Sequence, residues 1–577
     1  MIFLSAQPDD HYFLWQLQLQ LYNFKLHDID LKKVHILVGY DPMKGLQQDF
    51  LNFIEDNTDV NVHAYPDTRI KKTYLSSIRP HIIAKHLAAF PELQYDSIFY
   101  HDSDICFKKL PDFTLLNKGG IWYASDTRSY LDCSYITKKA GALVLTEMCR
   151  IVGVAVQDVE KNDKHAGGAQ YLLKRTDAEF WLKVQSDCDR MYDYLIQYNN
   201  GLGFCNQGRL NQIQAWCTDM WVIWWNAIFY NREFQIHPEL DFAWADSPIE
   251  QLERCKILHY TGTIGKDDPK LFRKTDYINY SPFHADLSGL DPEICGRYVR
   301  DMIDGYMASQ ETKKIDLHDV SFLIPVRIDS DDRLENVYAV TRYLAINLKS
   351  NIILTEIDQT SKIDVTKLPP QVKYFFIEDD SPQLYHTKYN NLMILNADTP
   401  YIALYDADII LPVAQIIEAV RILRENEFSA VFPYDGNFVN VDSLLKAMFI
   451  KLLDTNLFEE NQQKLNFIAR RSYGGCIFLN KLDYQEAGID NELIDSWGPE
   501  DIERVKRLTI LGYRVKRISG NLYHLSHSRG INSRYQSMEV RCTLMEEYLK
   551  ICSFTKEELR IYVGTWSWGN PKVKLSK

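Results

Sequence analysis

At 577 residues the chain is too long for one ordinary core, and length alone predicts about three to four domains. A content of 46% hydrophobic and 25% charged residues excludes a disordered chain. The net charge of −13 lacks the basic field that phosphate neutralisation requires, which excludes nucleic acid as the partner and makes metal ions natural ones. The 11 cysteines are odd in number and contain no C-x-x-C pair, so neither a disulfide framework nor a zinc motif is indicated, and a reducing compartment is expected.

From the N-terminus, short apolar runs at 2–4, 34–38, 60–64, 97–100 and 121–124 alternate with helix-like segments. One of these, 79–90, carries Ile82, Ile83, Leu87 and Phe90 at helical spacing. Buried strands alternating with helices predict an α/β domain with a mostly parallel sheet. The start of the chain has no basic region and reads as the first strand, not as a signal peptide. The most apolar stretch, 220–230, falls short of the roughly 18–20 residues a spanning helix needs. A cytoplasmic protein is therefore expected, with peripheral membrane association through a partner left open.

The polar stretch 301–319 reads as a linker, after which the pattern restarts at 320–326, 351–355, 372–377, 401–405, 430–433 and 476–479. Residues 537–562 have the spacing of a helical C-terminal tail. The expected organisation is one domain over 1–300 and a second over 320–577, alike in architecture more than in sequence.

The most informative feature occurs twice. An apolar strand runs into Asp102-Ser103-Asp104 in the first half and into Asp406-Ala407-Asp408 in the second. Ligands of open α/β sheets bind beyond the carboxyl ends of strands. Two carboxylates one residue apart at such a place can hold one hard divalent cation, which neutralises a leaving diphosphate. A single D-x-D is weak, because acidic pairs are common on solvated turns; two copies at the same depth of two domains are not easily accidental. With this motif the sequence resembles glycosyltransferases of the GT-A fold, a Rossmann-like arrangement. The resemblance implies Mn²⁺ or Mg²⁺ under a nucleotide-sugar diphosphate.

The second half resembles the family-2-type inverting transferases, especially the β-1,4-galactosyltransferase and chondroitin-polymerase relatives. The motifs come in that family's order: Ile324-Pro325-Val326-Arg327-Ile328-Asp329, the D-x-D, Ser472-Tyr473-Gly474-Gly475-Cys476, Ser496-Trp497-Gly498-Pro499-Glu500-Asp501, and His524-Leu525-Ser526-His527-Ser528-Arg529. The resemblance implies uridine contacts at Pro325, Arg327 and Asp329, and close backbone approach of donor and acceptor at Gly474 and Gly475, with Trp497 beside them. It assigns Asp501 as general base and Glu500 as the group orienting acceptor hydroxyls. Displacement at an anomeric carbon requires a base opposite the leaving group, in agreement. The competing reading is that Glu500, Asp501 and Glu503 only satisfy a helix dipole. His527 matches the third metal ligand, with His524 as its competitor. Pro499, Ile502 and Asp495 depart from the family pattern, so the acceptor sugar is not carried over; the implied donor is UDP-galactose or UDP-N-acetylgalactosamine.

In the first half the resemblance is looser. Leu258-His259-Tyr260-Thr261-Gly262-Thr263-Ile264-Gly265-Lys266 is similar to the His-x-x-Gly-x-x-Lys end of glycogenin-like transferases, one residue longer before the lysine. It implies His259 as metal ligand, with Gly262 and Lys266 at the diphosphate. Gly167-Gly168-Ala169-Gln170 and Trp216-Cys217-Thr218-Asp219-Met220-Trp221 look like elements of hydroxyproline arabinosyltransferases. They mark Gly168 and Gln170 as donor contacts and Asp219 as a catalytic carboxylate. The competing readings are a loop turn at Gly167-Gly168, a core histidine at 259, structural capping by Asp219, and a core role for Trp221, Trp224 and Trp225. Whether this half inverts or retains does not follow from its residues. The expected activity is a bifunctional, metal-dependent glycosyltransferase acting on a glycan or glycoconjugate acceptor in surface polysaccharide synthesis; the alternative is one active domain beside an acceptor-binding or scaffolding one.

Overall fold

The computed structural model describes residues 1–203, 212–261, 268–310 and 314–568. The chain divides into two compact units, Met1–Ser309 and Gln310–Lys577.

The first unit contains β1 (Ile2–Pro8), β2 (Val34–Tyr40), β3 (Asn61–Pro66), β4 (Ser97–Tyr100), β5 (Ile105–Phe107), β6 (Trp122–Asp126), β7 (Gly167–Lys174), β8 (Phe234–Ile236), β9 (Phe242–Trp244) and β10 (Ile257–His259). Its main sheet has the order β3-β2-β1-β4-β7-β6-β8, and a small sheet has the order β5-β10-β9. Pleat alternation sends neighbouring residues to opposite faces. Leu4, Ile98 and Tyr100 pack with Ile82 and Ile83 of the helix Ile78–Ala89, whereas Phe3 and Phe99 pack with Leu17 and Leu21 of the helix His11–Leu26. Covered on both faces, β1 is buried nearly throughout, as a central parallel strand should be.

The second unit contains β11 (Ile315–Val326), β12 (Leu348–Asp358), β13 (Val372–Glu378), β14 (Tyr401–Tyr405), β15 (Ile409–Ile410), β16 (Ala430–Phe432), β17 (Asn437–Val441), β18 (Asn466–Ala469), β19 (Cys476–Asn480), β20 (Val515–Arg517) and β21 (Asn521–Leu525). The main sheet, β13-β12-β11-β14-β19-β16-β20, repeats the first unit position for position. In both sheets only the fifth strand, β7 or β19, runs antiparallel to its two neighbours; the other pairs are parallel. This is the expected α/β, mostly parallel architecture, present twice.

One reading of the sequence is corrected. The polar stretch 301–319 is no extended linker: the helix Gly296–Gln310 fills its first part and β11 begins at Ile315. Its polarity is that of an exposed helix face and of an exposed strand start. The tail is two helices, Met538–Ser553 and Lys556–Gly564; the second begins with a capping box between Thr555 and Glu558. Trp221, Trp224 and Trp225 are fully buried, so the core reading holds for this cluster. No described helix is long and apolar enough to cross a membrane.

Candidate active sites

In the first unit β4 ends at Tyr100 and β5 resumes at Ile105, so the intervening loop projects Asp102 and Asp104 beyond the sheet. β10 lies antiparallel on β5 with His259 opposite Ile105. That register brings His259 Nε2 to 3.2 Å from Asp104 Oδ1 and 3.6 Å from Asp102 Oδ2. One ligand atom from each of the three lies within 4.8 Å of the others. The imidazole stacks on Trp244 at 5.5 Å, and Gln170 Nε2 lies 3.1 Å from its Nδ1. Ser125 Oγ donates to Gln170 Oε1 at 2.7 Å. Because a hydroxyl can also accept, the Gln170 amide can be turned without losing a partner. In that orientation Nδ1–H donates to Gln170 and the Nε2 lone pair faces the two carboxylates, the arrangement by which outer groups fix a ligand tautomer.

Two cations and one further carboxylate from distant segments complete this site. Lys274 pairs with Asp104, and Arg79 Nη1 lies 2.8 Å from Asp102 Oδ1 and 3.6 Å from Asp219 Oδ2. Burial opposes the Asp104 charge, but Lys274 and His259 outweigh it and hold the carboxyl below the usual range. Asp219 is the second residue of the helix Thr218–Phe229 and accepts from Tyr74 Oη at 2.9 Å. Burial pushes its pKa up against the pull of Arg79, with the Asp102 charge adding to the rise. Gly167 and Gly168 open β7 and are not a loop turn; a Cβ on Gly168 would meet the Met220 side chain at 3.1 Å. Gly262 and Lys266 lie outside the described residues.

The second unit repeats the plan. The loop after β14 carries Asp406 and Asp408, and β21 lies antiparallel on β15 with His524 opposite Ile409. His524 therefore holds the ladder position of His259. His527 Nε2 lies 3.0 Å from Asp408 Oδ2, and His524 Nε2 lies 3.9 Å from Asp408 Oδ1. Asp408 and both histidines offer ligand atoms within 4.8 Å of one another, so the two imidazoles stand together and do not exclude each other. Asp406 is outside that trio; burial, with the Asp408 and Asp501 charges adding, pushes its pKa well up. Arg333 is the neighbouring cation, with Nη1 at 3.0 Å from Asp408 Oδ2 and Nε at 2.9 Å from Asp329 Oδ1.

These groups line a cleft of about 410 Å³ together with Pro325, Arg327, Gly474, Gly475, Trp497 and Asp501. Arg327 is anchored on the Ile357 and Ser381 carbonyls at 2.9 and 2.6 Å. Asp329 faces Arg333 instead. Gly475 has φ of +89°, which favours glycine, and a Cβ on Gly474 would come within 2.9 Å of Asp501 Oδ2, so a side chain there would push that carboxylate aside. Asp501 is the second residue of the helix Glu500–Leu511 and accepts from Arg504 Nη1 at 2.7 Å. Burial raises its pKa, and Arg504 only partly offsets this. Glu500 is pushed well up by burial and by the Asp501 charge, and it accepts from the Gly498 amide at 2.8 Å. Trp497 is 42% exposed and meets Tyr535 edge-on at 5.1 Å.

One difference between the units is local. Tyr171 pairs with Tyr100 where Cys476 pairs with Tyr405, so Gln170 and Ala169 occupy the places of Gly475 and Gly474. A side chain that reaches His259 thus replaces the open glycine surface. Sequence reasoning missed Arg79, Lys274, Arg333 and Arg504; of these, Arg333 and Arg504, each one helical turn beyond a named aspartate, Asp329 or Asp501, had a local signal.

No protein-family model and no curated protein match the chain. Among solved structures it is similar to the catalytic domain of Drosophila β1,4-galactosyltransferase 7 in complex with xylobiose, at 14% identity over 42% of this chain and 82% of that one, TM-score 0.24. It is similar to an S. aureus TarS fragment in complex with UDP-GlcNAc, at 14% identity over 42% and 69%, TM-score 0.29. A mutant of the Drosophila enzyme with manganese, UDP-Gal and xylobiose matches at 14% identity over 40% and 79%, TM-score 0.24. At such scores the likeness goes no further than similarity, and what the sites can do rests on their own geometry.

Proposed function

We propose that the chain is a metal-dependent glycosyltransferase with one nucleotide-sugar site in each unit, residues 1–300 and 320–577 forming the two transferase domains. The observation that carries this reading is the repeated register: in each unit a histidine stands across the ladder from the isoleucine that follows a D-x-D, and a carboxylate begins a nearby helix. The donor sets, carboxylate oxygens mixed with imidazole nitrogen, suit Mn²⁺ and less well Mg²⁺. Asp102, Asp104 and His259 would hold the ion of the first unit; Asp408, His524 and His527, with Asp406 beside them, that of the second. The ion supplies charge neutralisation for a leaving diphosphate.

The protein's own groups then have definable tasks in the second unit. Asp501 accepts the proton of an acceptor hydroxyl. The hydroxyl oxygen bonds to the anomeric carbon as the bond from that carbon to the diphosphate oxygen breaks, giving an inverted glycoside and a nucleoside diphosphate. Gly474 lets the acceptor reach Asp501, and Arg504 keeps that carboxylate oriented. Asp219, held by Tyr74 and Arg79, takes the corresponding place in the first unit. The donor carried by the sequence resemblance is UDP-galactose or UDP-N-acetylgalactosamine for the second unit, and the acceptor class is a surface glycan or glycoconjugate. The test is a panel of nucleotide sugars with Mn²⁺ and glycan acceptors, scored by release of nucleoside diphosphate, for the parent and for Asp104→Ala and Asp408→Ala. Two donors, each lost with one variant, support the reading. One donor lost with one variant alone leaves the other unit as an acceptor-binding module, and no release with any donor refutes it.

A further inference from the structure

Three histidines of the first unit gather away from its carboxylate site. His35 is the second residue of β2, His63 the third of β3, and His86 lies in the last turn of the helix Ile78–Ala89. β1 separates β2 from β4, and His86 lies seven residues, about 10 Å of helix, from Arg79. One ring nitrogen of each lies within 4.8 Å of the others, and His35 Nδ1 is 3.0 Å from His86 Nε2. His35 and His86 are buried and His63 is half-buried.

The surroundings favour the ligand form of the rings. Tyr65 Oη is 2.8 Å from His86 Nδ1. With the proton on Nδ1 donated to that oxygen, the lone pair of Nε2 points at His35, as the outer partner of a metal-bound imidazole arranges. Burial lowers the pKa of His35 to about 4 and of His86 to about 3, and it lowers that of His63 too; the Asp96 charge counteracts this weakly at His35. All three are therefore neutral near pH 7, so no charge opposes coordination; the proton that His35 Nδ1 donates to His86 Nε2 has to move to the other ring nitrogen of His35 as the ion takes its place.

We propose that His35, His63 and His86 form a tris-histidine site for Zn²⁺, joining β2, the edge strand β3 and the end of the helix Ile78–Ala89. Three imidazoles without a carboxylate select late first-row ions over the Mn²⁺ or Mg²⁺ suited to the D-x-D sites. Zn–N bonds of about 2.0–2.1 Å at tetrahedral angles place ligand nitrogens about 3.4 Å apart, so the widest pair must close by at most about 1.4 Å. The half-exposed side at His63 leaves a fourth position for water. The ion would tie down the helix whose first turn presents Arg79 to Asp102 and Asp219.

The full chain, stripped with chelator, is titrated with Zn²⁺ and Co²⁺ beside His63→Ala. The parent should bind one more zinc equivalent than the variant, and its Co²⁺ adduct should show the intense visible band of a four-coordinate, nitrogen-rich site that the variant lacks. Zinc should raise the parent's melting midpoint more than the variant's, with Mn²⁺ stoichiometry the same in both. Equal zinc stoichiometry, or the same Co²⁺ spectrum in parent and variant, overturns the proposal. Should the alanine variant unfold without zinc, His63→Gln provides the same comparison with a polar side chain of similar reach.

Discussion

The Arg504 guanidinium donates to the Asp501 carboxylate at 2.7 Å, yet it does not fully offset the rise in pKa that burial imposes on that carboxyl. Arg504 is itself held by Asp490 at 2.8 Å, so it orients Asp501 from a fixed position. A base with a raised pKa loses activity as pH falls through that value. The acid limb of the second unit's pH–rate profile should therefore lie above the ordinary aspartate value of about 3.9. Asp501→Asn should cut turnover by about 10²–10⁴-fold, roughly 3–5 kcal/mol of barrier, while donor and metal affinity stay near the parent's. Turnover within a few-fold of the parent would move the base elsewhere, first to Glu500.

Calorimetry with UDP and Mn²⁺ should detect two sites in the full chain. Asp104→Ala should remove one and Asp408→Ala the other, since each carboxylate sits at the centre of its own cluster. A single site in the parent would contradict the duplication of function, though not of fold.

The pairing of both His524 and His527 with Asp408 predicts that neither is dispensable. Replacing either with Ala should weaken Mn²⁺ binding in the second unit about tenfold or more, about 1.4 kcal/mol, and leave the first unit unchanged. His259→Ala should do the converse. Gln170→Ala, which removes the outer partner of His259, should cost about 10–100-fold in the first unit. Unaltered metal affinity in His259→Ala would restore the core-histidine reading.

Lys274 neutralises Asp104 from 170 residues away. Its removal leaves the carboxylate with one cation fewer, so Lys274→Gln should tighten Mn²⁺ binding in the first unit. If the ammonium also meets the diphosphate, UDP affinity in the presence of Mn²⁺ should fall at the same time. Metal titrations with and without UDP separate the two effects; weaker Mn²⁺ binding in the variant would refute the competition.

Much of this architecture was legible because buried strands leave continuous apolar runs. β4 and β14 coincide residue for residue with the predicted runs 97–100 and 401–405. Strand direction was not legible: a run buried on both faces reads the same forwards and backwards, and the reversal of β7 and β19 has no compositional mark. The cations were hidden for another reason. Arg79 meets Asp102, Lys274 meets Asp104 and Arg333 meets Asp408 only through the folded topology, and an isolated Lys or Arg on a polar surface has no periodicity. Polarity also misled at 301–319, where exposure of one face of regular structure resembles the composition of a linker.

The register of His259 against Ile105 has a further consequence. β10 is three residues long, and successive side chains of a strand point to opposite faces. Losing or gaining one residue ahead of His259 without re-pairing would turn the imidazole away from Asp102 and Asp104 altogether, whereas exchanging Ile257 or Leu258 for another apolar residue would leave it in place. The same holds for β21 and His524. In these strands spelling can drift while length cannot, and the dependence on length is digital rather than graded.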